Sequence, residues 1–257
     1  HPMRMPLLAA AATFGLASTL LFTPLPVQAQ QKFITVGTGG IVGVYYPLGG
    51  GMANILSKYV PGMQATAEVT GGSVDNLKLL SAGKSEVGFS MVDAAWDGYK
   101  GQGKFKDAAV AARTLMVLYP NRMQIVTVEG SGIGKLSDLK GKRVSTGSPG
   151  SGVEVMALRV LEAAGIDPKS DIKQERLGAA ESVNAIKDRK IDAFFWVGGV
   201  PTAAITDLAA TPGTKVKLID HSEAITAMNA KHGPLYVKGI IPANSYAGQD
   251  KPVENID

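Results

Sequence analysis

Short β-branched, apolar runs alternate along the chain with longer segments whose apolar residues recur at helical spacing. This is the pattern of an α/β fold with mostly parallel strands. The runs that predict strands are 33–37, 64–69, 86–90, 114–119, 124–128, 143–146, 171–176, 191–197 and 215–219. Helices are expected between them, and two carry start signals. Ser151 and Glu154 form a capping box ahead of Val153, Met156 and Val160, and Ser73 is placed to cap a helix bearing Val74, Leu77 and Leu80.

The pattern also repeats, at an offset of about 108 residues. Val36-Gly37-Thr38-Gly39 corresponds to Val144-Ser145-Thr146-Gly147, each a strand entering a Gly-rich loop. Gly72-Ser73-Val74-Asp75-Asn76 corresponds to Glu181-Ser182-Val183-Asn184, and Val87-Gly88-Phe89-Ser90 to Asp192-Ala193-Phe194-Phe195. Three matches in one order predict two similar lobes. The stretch 118–130, broken by Pro120-Asn121-Arg122, reads as the first crossover. A second is expected after Pro212-Gly213, returning through Leu218, Pro234-Leu235-Tyr236 and Ile240-Ile241-Pro242. The expected division is therefore lobe one at 30–120 with 220–257, and lobe two at 121–219. Residues 252–257 read as the start of a further element, so the chain is expected to be truncated.

Residues 1–29 stand apart. Arg4 precedes a mainly apolar run from Leu7 to Phe22, then Val27-Gln28-Ala29. The run is 16 residues long, short of the roughly 20 that a membrane span needs, and it predicts a signal peptide cut after Ala29. His1-Pro2 ahead of Met3 reads as an addition to the natural start. Export favours disulfides, yet the chain has no cysteine, so an ordinary core must hold it. Cysteine is also the residue a lipid anchor would use. A secreted protein that neither spans nor is lipidated is expected in a Gram-negative periplasm. The formal net charge of +4 is too mild for a nucleic-acid partner, and the cluster Lys135, Lys140, Lys142 and Arg143 suits solvated helix ends.

In open parallel sheets, ligands sit beyond the carboxyl ends of the strands. Duplication would bring four loops to one cleft, 37–46 and 71–76 from lobe one and 146–152 and 178–182 from lobe two. Gly-rich loops at helix starts present free N–H groups to an anion such as a carboxylate, and no arginine sits in these loops. The candidate ligand-binding residues are Thr38, Gly39, Tyr45, Tyr46, Ser73, Ser90 and Asp93 on one wall and Ser148, Gly150, Ser151 and Gly152 on the other. Tight turns with capping residues would look the same in sequence. One member of Phe195-Trp196 is also placed to face the cleft.

Enzyme motifs are missing. Val42 stands where a dinucleotide fingerprint needs its third glycine, and neither a GK[ST] phosphate loop nor a G-x-S-x-G elbow occurs. The S-x-x-K matches at 81–84 and 137–140 lack their partner motifs. His221 and His232 lie eleven apart, which is no metal spacing. No cofactor or metal is implied.

Ile34-Thr35-Val36-Gly37-Thr38-Gly39-Gly40, Gly43-Val44-Tyr45-Tyr46-Pro47-Leu48-Gly49 and Ala67-Glu68-Val69-Thr70-Gly71-Gly72-Ser73-Val74-Asp75-Asn76 resemble the TRAP-associated extracytoplasmic immunogenic (TAXI) solute receptors. So do Leu139-Lys140-Gly141-Lys142-Arg143-Val144, Gly147-Ser148-Pro149-Gly150-Ser151-Gly152 and Gly199-Val200-Pro201-Thr202-Ala203-Ala204. The resemblance implies a two-lobed, two-crossover periplasmic binding protein of type II, monomeric, with no catalytic activity. It would deliver a glutamate-like or dicarboxylate solute to a TRAP-type permease driven by an ion gradient. Members usually continue beyond this end with another strand and helices. An enzyme or ligand sensor on the same fold is the alternative.

Overall fold

A computed structural model describes residues 30–257, and the signal peptide expected at 1–29 lies outside the described residues. In chain order the strands are β1 (Lys32–Gly37), β2 (Met63–Glu68), β3 (Val87–Gly88), β4 (Arg122–Val128), β5 (Arg143–Ser145), β6 (Lys173–Glu175), β7 (Ala193–Gly198), β8 (Val216–Ile219), β9 (Lys238–Ile241) and β10 (Val253–Ile256). The helices are α1 (Tyr45–Tyr59), α2 (Ser73–Ser81), α3 (Val92–Lys100), α4 (Gly152–Ala163), α5 (Ala179–Lys187), α6 (Ala203–Ala209) and α7 (Ile225–His232). No helix among the described residues is long and apolar enough to cross a membrane.

The duplication is visible in the sheets. The smaller sheet has the order β2-β1-β3, all parallel, and the larger one β6-β5-β7-β4-β8 repeats that order in its first three strands. In the larger sheet β4 is antiparallel to both β7 and β8. Strands β9 and β10 form a separate antiparallel pair.

Residues 114–119, expected as a strand, form none. Leu115 and Val117 are 71% and 88% exposed. A strand needs a neighbour for its backbone N–H and C=O groups. In the larger sheet β8 has β4 as that neighbour, and among the described residues the smaller sheet has no counterpart of β4. The strand expected at 86–90 is likewise reduced to Val87–Gly88.

Cores lie on both faces of the larger sheet. Met156, Val160 and Leu161 of α4 cover one face with Met123, Ile125 and Phe195, and Val183, Ile186, Ile205 and Leu208 of α5 and α6 cover the other with Val126 and Phe194. Residues 220–257, expected in lobe one, contribute Tyr236 and Ile256 to the first core and Ile241 and Tyr246 to the second. The lobes share a third core, in which Val155 of α4 packs with Val74, Leu77, Ala94, Phe105 and Val110. Burying a side chain of that size stabilises by about 1.5–3 kcal/mol, so the lobes meet through an apolar contact as well as a polar one.

Candidate functional site

A cavity of about 370 Å³ lies where the Gly-rich loops of the two lobes converge, and that volume suits a small solute. Of the eleven residues expected at a ligand, Gly39, Tyr45, Ser73, Ser148, Ser151 and Gly152 line it. Thr38, Tyr46, Ser90, Asp93 and Gly150 do not, and for four of them the reason is visible.

Thr38 is fully buried, and its hydroxyl donates to the Glu68 carbonyl at 2.5 Å, closing the end of β2. Ser90 donates to the neighbouring Met91 carbonyl at 2.9 Å. Asp93 is 2% exposed and accepts from the Tyr236 hydroxyl at 2.9 Å, with Arg159 Nη1 at 3.8 Å. Burial raises its pKa, and Arg159 only partly offsets this. The guanidinium of Arg159 donates to Asp97 at 2.5 Å and to the Tyr236 hydroxyl at 2.7 Å, so Asp93 belongs to a buried network that ties α3 to α4. Gly150 meets the other lobe directly, because its carbonyl accepts from the N–H groups of Val74 and Asp75, both at 3.1 Å.

That last contact changes the expected chemistry. The N-terminus of α2 was to receive an anion, and the Gly150 carbonyl occupies two of its free N–H groups instead. The start of α4 keeps half of the expected capping box: Ser151 Oγ accepts from Glu154 N at 3.0 Å, while the Ser151 N–H donates to the Ser148 carbonyl at 3.2 Å and the Glu154 carboxylate turns to Arg176 instead. Ser73 does not cap its helix. It begins α2, and its hydroxyl accepts from Met91 N at 3.0 Å. At α5, Glu181 of the first turn folds back so far that a Cβ on Gly178 would stand 2.5 Å from its Oε2. The start of α1 remains, with no acidic residue in its first turn and no capping side chain, and Val44 and Tyr45 line the cavity there.

The sequence reading missed Arg176, which lines the cavity from just beyond β6. It lies two residues before the loop window drawn at 178–182. Its Nε donates to Glu154 Oε1 at 2.5 Å, and that carboxylate raises the arginine's pKa. Glu154 is buried, and Lys104 Nζ stands 3.7 Å from its other oxygen. Two further aromatics complete the lining. Trp196 donates from its ring N–H to Thr202 Oγ1 at 3.0 Å, while Phe195 is core. Tyr119 brings a buried hydroxyl without a hydrogen-bond partner. Tyr45 stacks on Phe89 with ring centroids 5.1 Å apart, and burial pushes its phenol up to about 12.

Solved structures share this architecture. A binding protein component of an ABC phosphonate transporter from Pseudomonas aeruginosa matches with a TM-score of 0.51 at 16% identity, over 74% of this chain and 64% of that one. An ancestral arginine-binding protein bound to arginine matches with a TM-score of 0.50 at 19% identity, over 74% and 79%. The alkanesulfonate-binding protein SsuA from Xanthomonas axonopodis pv. citri matches with a TM-score of 0.44 at 21% identity, over 65% of this chain and 54% of that one. The chain thus spans about half the length of that relative. The fold is the two-lobed one of periplasmic binding proteins, and because residues 36–256 match the model of the NMT1-like family, the chain belongs to that family.

Proposed function

We propose that the chain is the solute-receiving component of a membrane uptake system, exported to the periplasm and acting as a monomer without catalysis. The observation that carries this is the cavity between the lobes, where the open start of α1, the hydroxyls of Tyr45, Ser73 and Ser148, and Arg176 converge on a volume of about 370 Å³. Such a site takes a small organic acid. The resemblance to TAXI receptors supports a TRAP-type permease as the partner and a glutamate-like or dicarboxylate solute. The architecture shared with a phosphonate transporter's binding protein supports an ABC-type partner as the second reading.

Differential scanning fluorimetry of the chain over organic acids and amino acids tests the reading. A solute present at 100 times its Kd should stabilise the fold by about 2.7 kcal/mol. A panel with no stabilising member would sink the proposal, and turnover of a bound member would favour an enzyme. Stimulation of uptake by a TRAP-type or an ABC-type permease in proteoliposomes separates the two partners.

A further inference from the structure

The lining of the cavity narrows the solute. Its charged members are one cation, Arg176, and one anion, Glu181. The rest is mainly apolar, including Ile41, Val44, Val153, Leu177 and Trp196. Arg176 spends Nε on Glu154, and among the described residues Nη1 and Nη2 have no partner. Two parallel N–H donors on one planar group match one carboxylate. A second carboxylate in the same space would find no second cation, only the neutral donors at the start of α1 and at Tyr45, Ser73 and Ser148 among apolar side chains and Glu181, and burying a charge without a counter-ion is unfavourable. The hydroxyl of Tyr119 is buried and unpaired at the same cavity, a state that persists at a cost unless a solute atom completes the hydrogen bond.

Building on the solute-binding reading, we propose that this cleft selects a solute with a single carboxylate on an apolar body. Arg176 holds the carboxylate through its terminal nitrogens, and the Tyr119 hydroxyl donates to a solute oxygen. The dicarboxylate that the resemblance implies is disfavoured here, since the lining supplies one cation for two anionic groups.

Isothermal titration of the chain with 4-methyl-2-oxopentanoate and leucine, against succinate, 2-oxoglutarate and glutamate, tests the inference. The two monocarboxylates should bind roughly 10- to 100-fold more tightly than the others. Arg176→Gln should weaken them by a similar factor. Tyr119→Phe should weaken 4-methyl-2-oxopentanoate about tenfold or less while leaving the unliganded Tm unchanged or raised, a combination that a purely structural tyrosine would not produce. Leucine binding that is lost in Glu181→Gln would place an ammonium group at that carboxylate and keep the same class. Tighter binding of succinate or 2-oxoglutarate would overturn the inference and leave the general reading standing. Binding of neither class by a folded chain would overturn both.

Discussion

Gly150 and Asp75 meet across the cleft, the carbonyl of the first accepting the N–H of the second at 3.1 Å. Gly150 has φ of +77°, and a Cβ there would overlap the Asp75 carboxyl. Gly150→Ala should therefore destabilise the chain, by about 1–2 kcal/mol from the left-handed backbone alone and further from the overlap. Adding Asp75→Ala should recover the second part and leave the first. Urea unfolding of the single and double variants measures both. A Gly150→Ala chain as stable as its parent would show that the lobes do not meet in solution as they do here.

The network around Arg159 makes a second prediction. Arg159 is the cation shared by Asp93 and Asp97, whose side chains are each 3% exposed. Arg159→Met would leave two buried carboxylates without their partner and should cost about 3–5 kcal/mol. Tyr236→Phe removes one donor to Asp93 and should cost less, about 1–3 kcal/mol. Equal losses in urea unfolding would contradict this ranking.

His221 predicts a pH dependence. It is fully buried, its Nδ1 lies 2.7 Å from the Ile219 carbonyl, and its Nε2 accepts from Ile256 N at 3.3 Å. Nε2 can accept only when unprotonated, and burial lowers the imidazole pKa below its ordinary 6.5. Below that value the unfolded chain binds the proton more readily than the folded one. The contribution of His221 to stability is therefore intact above 6.5 and is lost as pH falls toward the folded-state pKa. Chemical unfolding between pH 8 and pH 5 should show this decline, and His221→Gln should flatten it over the part of the range below about 6.5. A decline identical in the variant would assign it to other groups.

Trp196 should report solute entry. It lines the cavity and packs, like Val42 of the facing lobe, against the core that includes Phe194 and Ile205. The other tryptophan, Trp96, is 38% exposed and is not a lining residue. In a Trp96→Phe chain, saturating 4-methyl-2-oxopentanoate should shift the remaining emission to the blue, as water around a half-buried indole is displaced. An unchanged spectrum under conditions where calorimetry shows binding would put the solute elsewhere.

Much of the architecture was legible because its signals are local. The spacing of Met156 and Val160, the Ser151 cap and the repeated strand-to-glycine entries at Gly37 and Ser145 depend on residues a few positions apart, whose contacts follow from helix and strand geometry. Those entries located the cleft as well. What a cleft residue does there depends on partners that no spacing reveals. Gly150 became a lobe-to-lobe contact because the α2 N-terminus lies opposite it, and Asp93 left the candidate site because Arg159 and Tyr236, 77 residues apart, converge on its carboxyl. Apolarity alone assigned 114–119 to a strand, but a strand is made by its neighbour, and only the three-dimensional arrangement showed that among the described residues the smaller sheet has none to offer. Arg176 reached the cavity by the same rule. The sequence by itself determined which loops converge, and tertiary structure decided which of their groups remain free to bind, because hydrogen bonds and ion pairs are satisfied in space rather than along the chain.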